Sequence, residues 1–248
     1  DMDTGLPLKK SSLPSYSKVF GNKLCEMAGK DERVTAVSAA MIDGTGLEGF
    51  NKLFPKRMFD VGIAEGHAVT FAAGLAKAGL KPYVAVYSTF LQRAYDQIIE
   101  DVCLQELPVT FCIDRAGIVG ADGETHHGIF DISYLRHIPN MTIMAPKDGD
   151  ELEAMLEYSL QLDGPCAIRY PRGSAETIGK TNKIQIGKSH QLKRGTDVEI
   201  WSVGTMAKIV LEAADILKSN GISASVINAE FIKPLDKEKL EKSASKYP

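Results

Sequence analysis

From about residue 15 to residue 174, the chain alternates between amphipathic segments of helical period and short apolar runs. Helices are predicted over 15–31, 64–79, 90–107 and 148–164, and strands over 33–40, 57–63, 81–88, 108–114, 141–147 and 165–171. Strands that alternate with helices are typical of a parallel sheet covered by helices. The sequence therefore predicts an α/β fold built on one doubly wound, mainly parallel sheet.

The pattern changes after residue 175. Residues 176–195 are polar without a helical period, which predicts a linker with a short hairpin. A second β-α-β unit follows over 197–231, and it stops at KPLDKEKLEKSASKYP, too soon to close a sheet of its own. We therefore expect a tail or linker over 1–14, a first domain over 15–175, a linker over 176–195 and a partial second α/β domain over 196–248.

Composition narrows the possible partners and the setting. The chain has 248 residues, 29 basic and 32 acidic, with a net charge of -3 and no long block of either sign. This balance gives no electrostatic footprint for nucleic acid or anionic lipid. The four cysteines have neither C-x-x-C nor metal-ligand spacing, and no stretch approaches about 18 apolar residues. We expect a soluble, cytoplasmic protein with buried thiols that binds neither nucleic acid nor membrane.

Polar residues follow the carboxyl ends of the predicted strands. Glu65 follows FDVGIA, Tyr87 and Arg93 follow YVAV, Arg115 through His126 follow TFCID, and Arg172 follows AIRYP. In an open parallel sheet, ligands bind beyond the carboxyl ends of the strands. We therefore expect these side chains to meet at one edge of the sheet and to form a binding site.

Two of these residues have an ordinary interpretation beside the functional one. Glu65 suits the positive end of a helix dipole, but its neighbours Gly66 and Ala68 are small, and an acid buried among them needs a partner. Arg93 suits a surface ion pair, but it stands in the first turn of its predicted helix, where a cation is unfavourable unless an anion is near. Both interpretations of each residue remain open on the sequence alone.

The loop DRAGIVGADGETHHG concentrates the candidate chemistry. It contains four glycines together with Arg115, Asp122, Glu124, His126 and His127. A metal site is disfavoured, because adjacent histidines of an extended chain point to opposite sides and no third ligand has helical spacing. The sequence predicts no metal ligand and an exposed His127. The ordinary alternatives are a turn at Asp122, a turn arginine at Arg172, and core positions for Tyr87 and Phe90.

Four segments together resemble the 1-deoxy-D-xylulose-5-phosphate synthases, thiamin-diphosphate enzymes of the transketolase superfamily. They are FDVGIAEGHAVTFAAGLA, YSTFLQRAYDQ, DRAGIVGADGETHHG and RYPRG. The acid before the Ala-rich helix is shared across the superfamily, whereas the RAGIVGADG-x-TH-x-G loop is specific to the synthases. Gly66 departs from the family pattern, which usually has Gln there, and we expect a local packing difference with no change of chemistry.

The resemblance implies a role for each candidate residue. Glu65 would hydrogen-bond N1′ of the cofactor's aminopyrimidine, Phe90 would stack on that ring, and Arg93 would belong to the cofactor site. Tyr87, Asp122 and His126 would face the reacting carbons. Arg115 and Arg172 would clamp the acceptor's phosphate.

The resemblance also implies the reaction. Pyruvate would lose CO2 and condense with D-glyceraldehyde 3-phosphate to 1-deoxy-D-xylulose 5-phosphate, a precursor for isoprenoid and thiamine biosynthesis. The cofactors implied are thiamin diphosphate and Mg²⁺, and the enzyme would be a homodimer. The family holds the diphosphate and Mg²⁺ through a GDG…N motif on an amino-terminal domain, and this motif does not occur in the sequence. We therefore expect a fragment that is folded but inactive alone.

Two other functions remain open. A split transketolase or a 2-oxoacid dehydrogenase β-type subunit would use the same Glu65 with a different acceptor. A non-catalytic domain that only dimerises would need neither Glu65 nor an acceptor substrate. The loop from Arg115 to His127 favours the synthase.

Overall fold

The computed structural model describes residues 12–247. Its helices are α1 (Tyr16–Lys30), α2 (Glu48–Leu53), α3 (Glu65–Lys77), α4 (Ser88–Leu91), α5 (Tyr95–Gln97), α6 (Asp131–Leu135), α7 (Gly149–Ser159), α8 (Met206–Ser219) and α9 (Lys237–Lys246). Its strands are β1 (Val34–Ser38), β2 (Met58–Asp60), β3 (Lys81–Tyr87), β4 (Thr110–Asp114), β5 (Thr142–Met144), β6 (Cys166–Arg169), β7 (His190–Lys193), β8 (Val198–Ser202), β9 (Ala224–Asn228) and β10 (Phe231–Lys233). The predicted tail over 1–14 lies largely outside the described residues.

A seven-stranded sheet forms the centre of the first unit, in the order β10-β5-β6-β4-β3-β1-β2. All its neighbouring strands are parallel except β10, which pairs antiparallel with β5. A smaller sheet, β7-β9-β8, forms the second unit. The mainly parallel α/β sheet with the start of a second α/β unit is confirmed.

Both faces of the large sheet are buried under helices. On β3, Tyr83 packs into a cluster with Phe20 of α1 and Met155 of α7, while the next residue, Val84, packs on the opposite face with Ala72 of α3. Successive side chains of a strand point to opposite faces, so burial of both requires two helical layers. The sheet is therefore doubly wound, as the sequence predicts.

The single helix predicted over 90–107 is wrong. The chain instead forms α4, a 3₁₀ turn over 92–94, α5 and a π-helical segment over 98–103. A π turn inserts one residue per turn, and here it lets Ile98, Val102 and Cys103 all face the core, where each is buried. The break also separates Arg93 from a regular helix and lets it approach α3.

The end of the predicted linker is also different from expectation. Residues 190–193 form β7, which pairs antiparallel with β9 of the second unit and not with a neighbouring hairpin strand. The second unit in turn contributes β10 to the edge of the first sheet.

Within residues 12–247 no helix is long and apolar enough to cross a membrane.

Candidate active site

Glu65 opens α3 at the carboxyl edge of the large sheet. The turn before it is fixed by Asp60, whose Oδ1 accepts hydrogen bonds from the amides of Ala40 and Gly62. The Glu65 side chain is only 4% exposed, and its Oε1 accepts a 2.8 Å hydrogen bond from Arg93 Nη1. Arg93 itself is 56% exposed. The acid that the sequence places among small residues therefore has the partner that burial demands.

Three rings gather beside this ion pair. Tyr87 and Phe90 stack with centroids 5.8 Å apart, and the His126 ring meets Phe90 edge-on at 5.3 Å. The guanidinium of Arg93 lies 5.0 Å from the Phe90 centroid. Burial raises the pKa of the Tyr87 hydroxyl, although Arg115 opposes the shift. All three rings are half-buried, and Phe90 also packs against the apolar core on one side of the sheet.

Arg115 is held from several sides. Its Nη1 donates to the Gly44 carbonyl at 2.6 Å and to Asp114 Oδ1 at 3.0 Å, and its guanidinium lies 3.9 Å above the Tyr87 ring. The side chain is 13% exposed. Its backbone has a positive φ of 57°, an uncommon conformation for a non-glycine residue. These contacts fix the guanidinium at the base of the loop.

Asp122 lies between the two arginines of the predicted phosphate clamp. Its Oδ2 is 3.1 Å from Arg172 Nε and 3.5 Å from Arg115 Nε. Arg172 is 43% exposed, far more than Arg115. The fold thus brings Arg115, Asp122 and Arg172 together, with an anionic group between the two cations.

The sequence analysis did not single out Asp114 or Ser17, which support this cluster. Asp114 ends β4 with its side chain fully buried, and Ser17 Oγ donates to its Oδ2 at 2.7 Å. Burial raises the pKa of the Asp114 carboxyl, while the hydrogen bond from Ser17 and the charge of Arg115 oppose the shift. An acid directly before Arg115 was visible in the sequence, but its partner Ser17 is remote in the chain.

The loop from Arg115 to Gly128 closes on itself. The amide of Gly117 donates to the Gly128 carbonyl at 2.7 Å, and the Gly128 amide returns a 2.8 Å bond to Gly117. The prediction of an exposed His127 is wrong, because this side chain is half-buried and its Nδ1 accepts a hydrogen bond from the Val119 amide. His126, by contrast, is on the side of the aromatic rings, with Nδ1 3.0 Å from Thr125 Oγ1.

An open cavity of about 430 Å³ lies at the carboxyl ends of β1–β3, next to Tyr87. Gly44 on its wall is required by close approach: a Cβ there would stand 1.7 Å from the Tyr87 hydroxyl oxygen. Gly66 also has a specific neighbour, since a Cβ there would meet the Gln97 carboxamide at 3.2 Å. The space beside Gly66 is therefore occupied by the side chain of Gln97.

Among residues 12–247, no group of three or more His, Cys, Asp or Glu side chains is arranged to hold a metal ion. The stacked rings of Tyr87 and Phe90 and the guanidinium groups of Arg115 and Arg172 offer contacts to a ligand that carries a ring and an anionic group.

Known proteins share this architecture. The family profile "Transketolase, pyrimidine binding domain" matches residues 12–177, and "Transketolase, C-terminal domain" matches residues 187–248. The chain is 56% identical over 241 residues to the 1-deoxy-D-xylulose-5-phosphate synthase of Pelotomaculum thermopropionicum, covering 96% of this chain and 38% of that protein. It is 54% identical over 251 residues to the synthase of Natranaerobius thermophilus, covering 100% of this chain and 40% of that protein.

Solved structures agree with the sequence relatives. A split-gene transketolase described as an inactive β4 tetramer superposes with a TM-score of 0.86 at 30% identity, covering 94% of this chain and 77% of that chain. The transketolase of Campylobacter jejuni superposes at 0.84 with 20% identity, over 99% of this chain and 40% of its own, which shows the fold alone. The pyrimidine-binding profile covers more than half of the residues, and the chain therefore belongs to the transketolase family, within which its sequence is similar to the 1-deoxy-D-xylulose-5-phosphate synthases.

Proposed function

We propose that this chain forms the pyrimidine-binding side of a thiamin-diphosphate-dependent 1-deoxy-D-xylulose-5-phosphate synthase. The enzyme would act as a homodimer, would use Mg²⁺, and would condense pyruvate, with loss of CO2, and D-glyceraldehyde 3-phosphate. The observation that carries the proposal is the placement of the buried Glu65 and the Asp122–Arg172 ion pair on one edge of the sheet. The chain spans 38–40% of the length of the synthases cited above, so the activity of the whole enzyme belongs to this proposal.

The residues present fit the pyrimidine end of the cofactor. An aminopyrimidine needs a hydrogen-bonding group at its N1′ and an aromatic or apolar surface against its face. Glu65 offers a carboxylate whose orientation is fixed by Arg93, and Phe90 offers a half-buried ring nearby. When bound, thiamin diphosphate supplies the electron sink for the decarboxylation.

Four residues of the site would then have the following roles. Glu65 would hold the hydrogen bond at N1′, and Arg93 would keep that carboxylate in position. His126 would exchange a proton with a substrate oxygen through Nε2, because its Nδ1 is already in contact with Thr125. Tyr87, whose pKa is raised by burial, would remain protonated and donate a hydrogen bond.

The acceptor's phosphate fits the place that Asp122 marks. The Asp122 carboxylate lies between the two guanidinium groups, which supports binding of an anion there, and a planar guanidinium suits phosphate geometry. Arg172 is the more exposed arginine and would make the direct contact. Arg115, held by Gly44 and Asp114, would supply a fixed positive charge behind it.

A chimera tests the proposal. This chain would replace the matching segment of the Pelotomaculum thermopropionicum synthase, with which it shares 56% identity. We expect the chimera to form 1-deoxy-D-xylulose 5-phosphate from pyruvate and D-glyceraldehyde 3-phosphate, in a reaction that depends on added thiamin diphosphate and Mg²⁺. A folded chimera that lacks this activity would contradict the proposal.

The second candidate is a split transketolase-type subunit. It is favoured by one observation, the superposition on a split-gene transketolase chain of which this chain covers 77%. An assay with a ketose phosphate as donor and an aldose phosphate as acceptor distinguishes the two functions. Turnover of these sugars by the chimera, without turnover of pyruvate, would favour the transketolase assignment.

A further inference from the structure

A second cluster of charged residues lies where the two units of the chain meet, and its Lys147 lines the same cavity as Arg172. It contains Lys147, Asp148 and Glu151 at the start of α7, Asn228 at the end of β9, and Glu230 just before β10. Each of these five side chains is at most 1% exposed. A charge buried this deeply must be paired or neutralised.

Glu151 is surrounded by donors. Its Oε2 accepts a 2.6 Å hydrogen bond from the Lys147 amide, and its two oxygens lie 2.9 and 3.1 Å from Asn228 Nδ2. The ammonium of Lys147 lies 3.5 Å from Glu151 Oε1 and 3.0 Å from Asp148 Oδ2. Burial raises the pKa of Glu151, although Lys147 and the hydrogen bond from Asn228 oppose the shift.

Glu230 has far fewer donors. Its Oε1 is 2.5 Å from His190 Nδ1, and its Oε2 is buried without a hydrogen-bond partner among the described residues. Burial and the nearby Glu151 raise the pKa of Glu230 to about 9, although Lys147 and Lys239 oppose the shift. Burial, with Lys239 and Lys147, lowers the pKa of His190, which favours the neutral ring beside Glu230.

The remaining charged groups do not supply the missing counter-charge. Asp148 is used by three donors: the amides of Glu151 and Ile178 and the ammonium of Lys147. Asp236, which faces His190, accepts from Ser189, and Tyr16, which faces Asp148 and Glu151, is held neutral by a raised pKa. Glu151 and Glu230 thus share with Asp148 the positive charge of one buried lysine, Lys147.

We propose that Glu151 and Glu230 share one proton across the contact between the two units, and that this proton holds the second unit against the first. The proton sits on Glu230 Oε2 and is donated to the Glu151 carboxylate. Its loss leaves two buried carboxylates facing each other. Because Glu230 directly precedes β10 and its carbonyl accepts from the Ala145 amide at 2.9 Å, repulsion there separates β10 from β5.

The sign of the pH effect follows from proton linkage. Above its ordinary pKa, a carboxyl that stays protonated only in the folded state makes the folded form bind one proton more than the unfolded form. The folding equilibrium constant then falls by roughly tenfold per pH unit between the unfolded and folded pKa values. This stabilisation is complete at low pH and is lost as the pH rises through the folded pKa.

The test measures urea unfolding of the 248-residue chain between pH 6 and pH 9. We expect Glu230→Gln, which keeps the shape and needs no proton, to remove about one proton from the pH slope. Glu241→Gln on exposed α9 is the matched control and should keep the wild-type slope. An unchanged slope in Glu230→Gln overturns the proposal. Other titrating groups are common to both chains and cancel in the comparison.

A measurement on the wild type covers the case in which Glu230→Gln fails to fold. Infrared spectra of the chain labelled with ¹³C at glutamate carboxyls should show the stretch of a protonated buried carboxyl at pH 7 and lose it at pH 10.5. Hydrogen exchange of the β10 peptide, corrected for the chemical rate, should accelerate over the same range. Absence of the protonated carboxyl at pH 7 contradicts the shared proton.

Discussion

Glu65 and Arg93 form a 2.8 Å ion pair in which the acid is 4% exposed and the arginine 56% exposed. The two residues come from α3 and from the 3₁₀ turn after α4, so the pair ties the loop after β3 to the start of α3. An asymmetric pair of this kind fixes the orientation of the carboxylate while Arg93 remains in contact with water. This is the arrangement that a carboxylate needs if it is to present one oxygen to a ligand.

The first prediction concerns the proton-handling role of Glu65. In the chimera, Glu65→Gln keeps the shape of the side chain but removes its charge. Exchange of the C2 proton of bound thiamin diphosphate, followed by NMR, should slow by about 10²–10⁴-fold, the usual size of a proton-transfer contribution. Glu48→Gln, at the exposed first turn of α2, is the control and should leave the rate unchanged. Wild-type exchange in Glu65→Gln would mean that this acid serves only the helix end.

The second prediction concerns Arg172 and the acceptor's phosphate. If Arg172 makes a charge-assisted hydrogen bond to the phosphate, Arg172→Ala should raise the KM for D-glyceraldehyde 3-phosphate by roughly 10–100-fold. The KM for pyruvate should change little, because pyruvate has no phosphate. Arg136→Ala, at an exposed position beside α6, is the control for loss of a positive charge.

A substrate comparison makes this prediction specific. Glyceraldehyde without its phosphate cannot use the contact and should show almost no penalty from Arg172→Ala. Equal losses for the two aldehydes would show that Arg172 supports the fold or the cofactor site, and the phosphate assignment would be withdrawn.

The sequence was sufficient for the parallel strands of the large sheet, because these depend on local periodicity, but not for its antiparallel edge strand β10, which comes from the second unit. Glu65, Tyr87, Arg115 and Arg172 each follow a strand, and parallel strands bring their carboxyl ends to one edge. The resemblance added the roles of these residues, which periodicity does not contain.

The remaining features depend on contacts between residues that are far apart in the chain. Ser17 reaches Asp114 across 97 positions, and Glu230 meets Glu151 between two units. The π-helical segment over 98–103 was not predicted either. Its apolar residues also fit an α-helical period, so the sequence pattern does not reveal the extra residue of the π turn.

The third prediction uses the close approach of Gly44 and Tyr87. A Cβ at residue 44 would overlap the Tyr87 hydroxyl, so Gly44→Ala should lower the free energy of unfolding by about 1–3 kcal/mol, as overpacking does. In a Tyr87→Ala background the same change should have a much smaller effect, which a double-mutant cycle measures by urea unfolding. Equal effects in both backgrounds would mean that the strain lies elsewhere.

A second glycine gives the opposite result and serves as the control. Gly74 lies inside α3, and a Cβ there would meet nothing within 4 Å. Gly74→Ala should therefore raise the free energy of unfolding by about 0.5–1 kcal/mol through helix propensity.

The last prediction concerns the buried Asp114 and its hydrogen bond from Ser17. Burial raises the pKa of Asp114, and the Ser17 hydroxyl opposes that shift by stabilising the ionised form. At a pH where Asp114 is ionised, Ser17→Ala should lower the free energy of unfolding by about 1.5–3 kcal/mol, the usual value of a hydrogen bond to a charged group. A carboxyl whose pKa is raised in the folded state lowers stability as the pH rises from its unfolded pKa toward its folded pKa. Removal of the Ser17 hydroxyl raises the folded pKa of Asp114 further, so this pH range extends upward. The difference in unfolding free energy between Ser17→Ala and wild type should therefore shrink as the pH falls through the folded pKa of Asp114 and the carboxyl becomes protonated in both proteins.

Urea unfolding at several pH values measures this difference, with Ser133→Ala at an exposed position of α6 as the control. A destabilisation by Ser17→Ala that is the same at every pH would mean that the hydroxyl contributes packing only and does not act on the charge of Asp114.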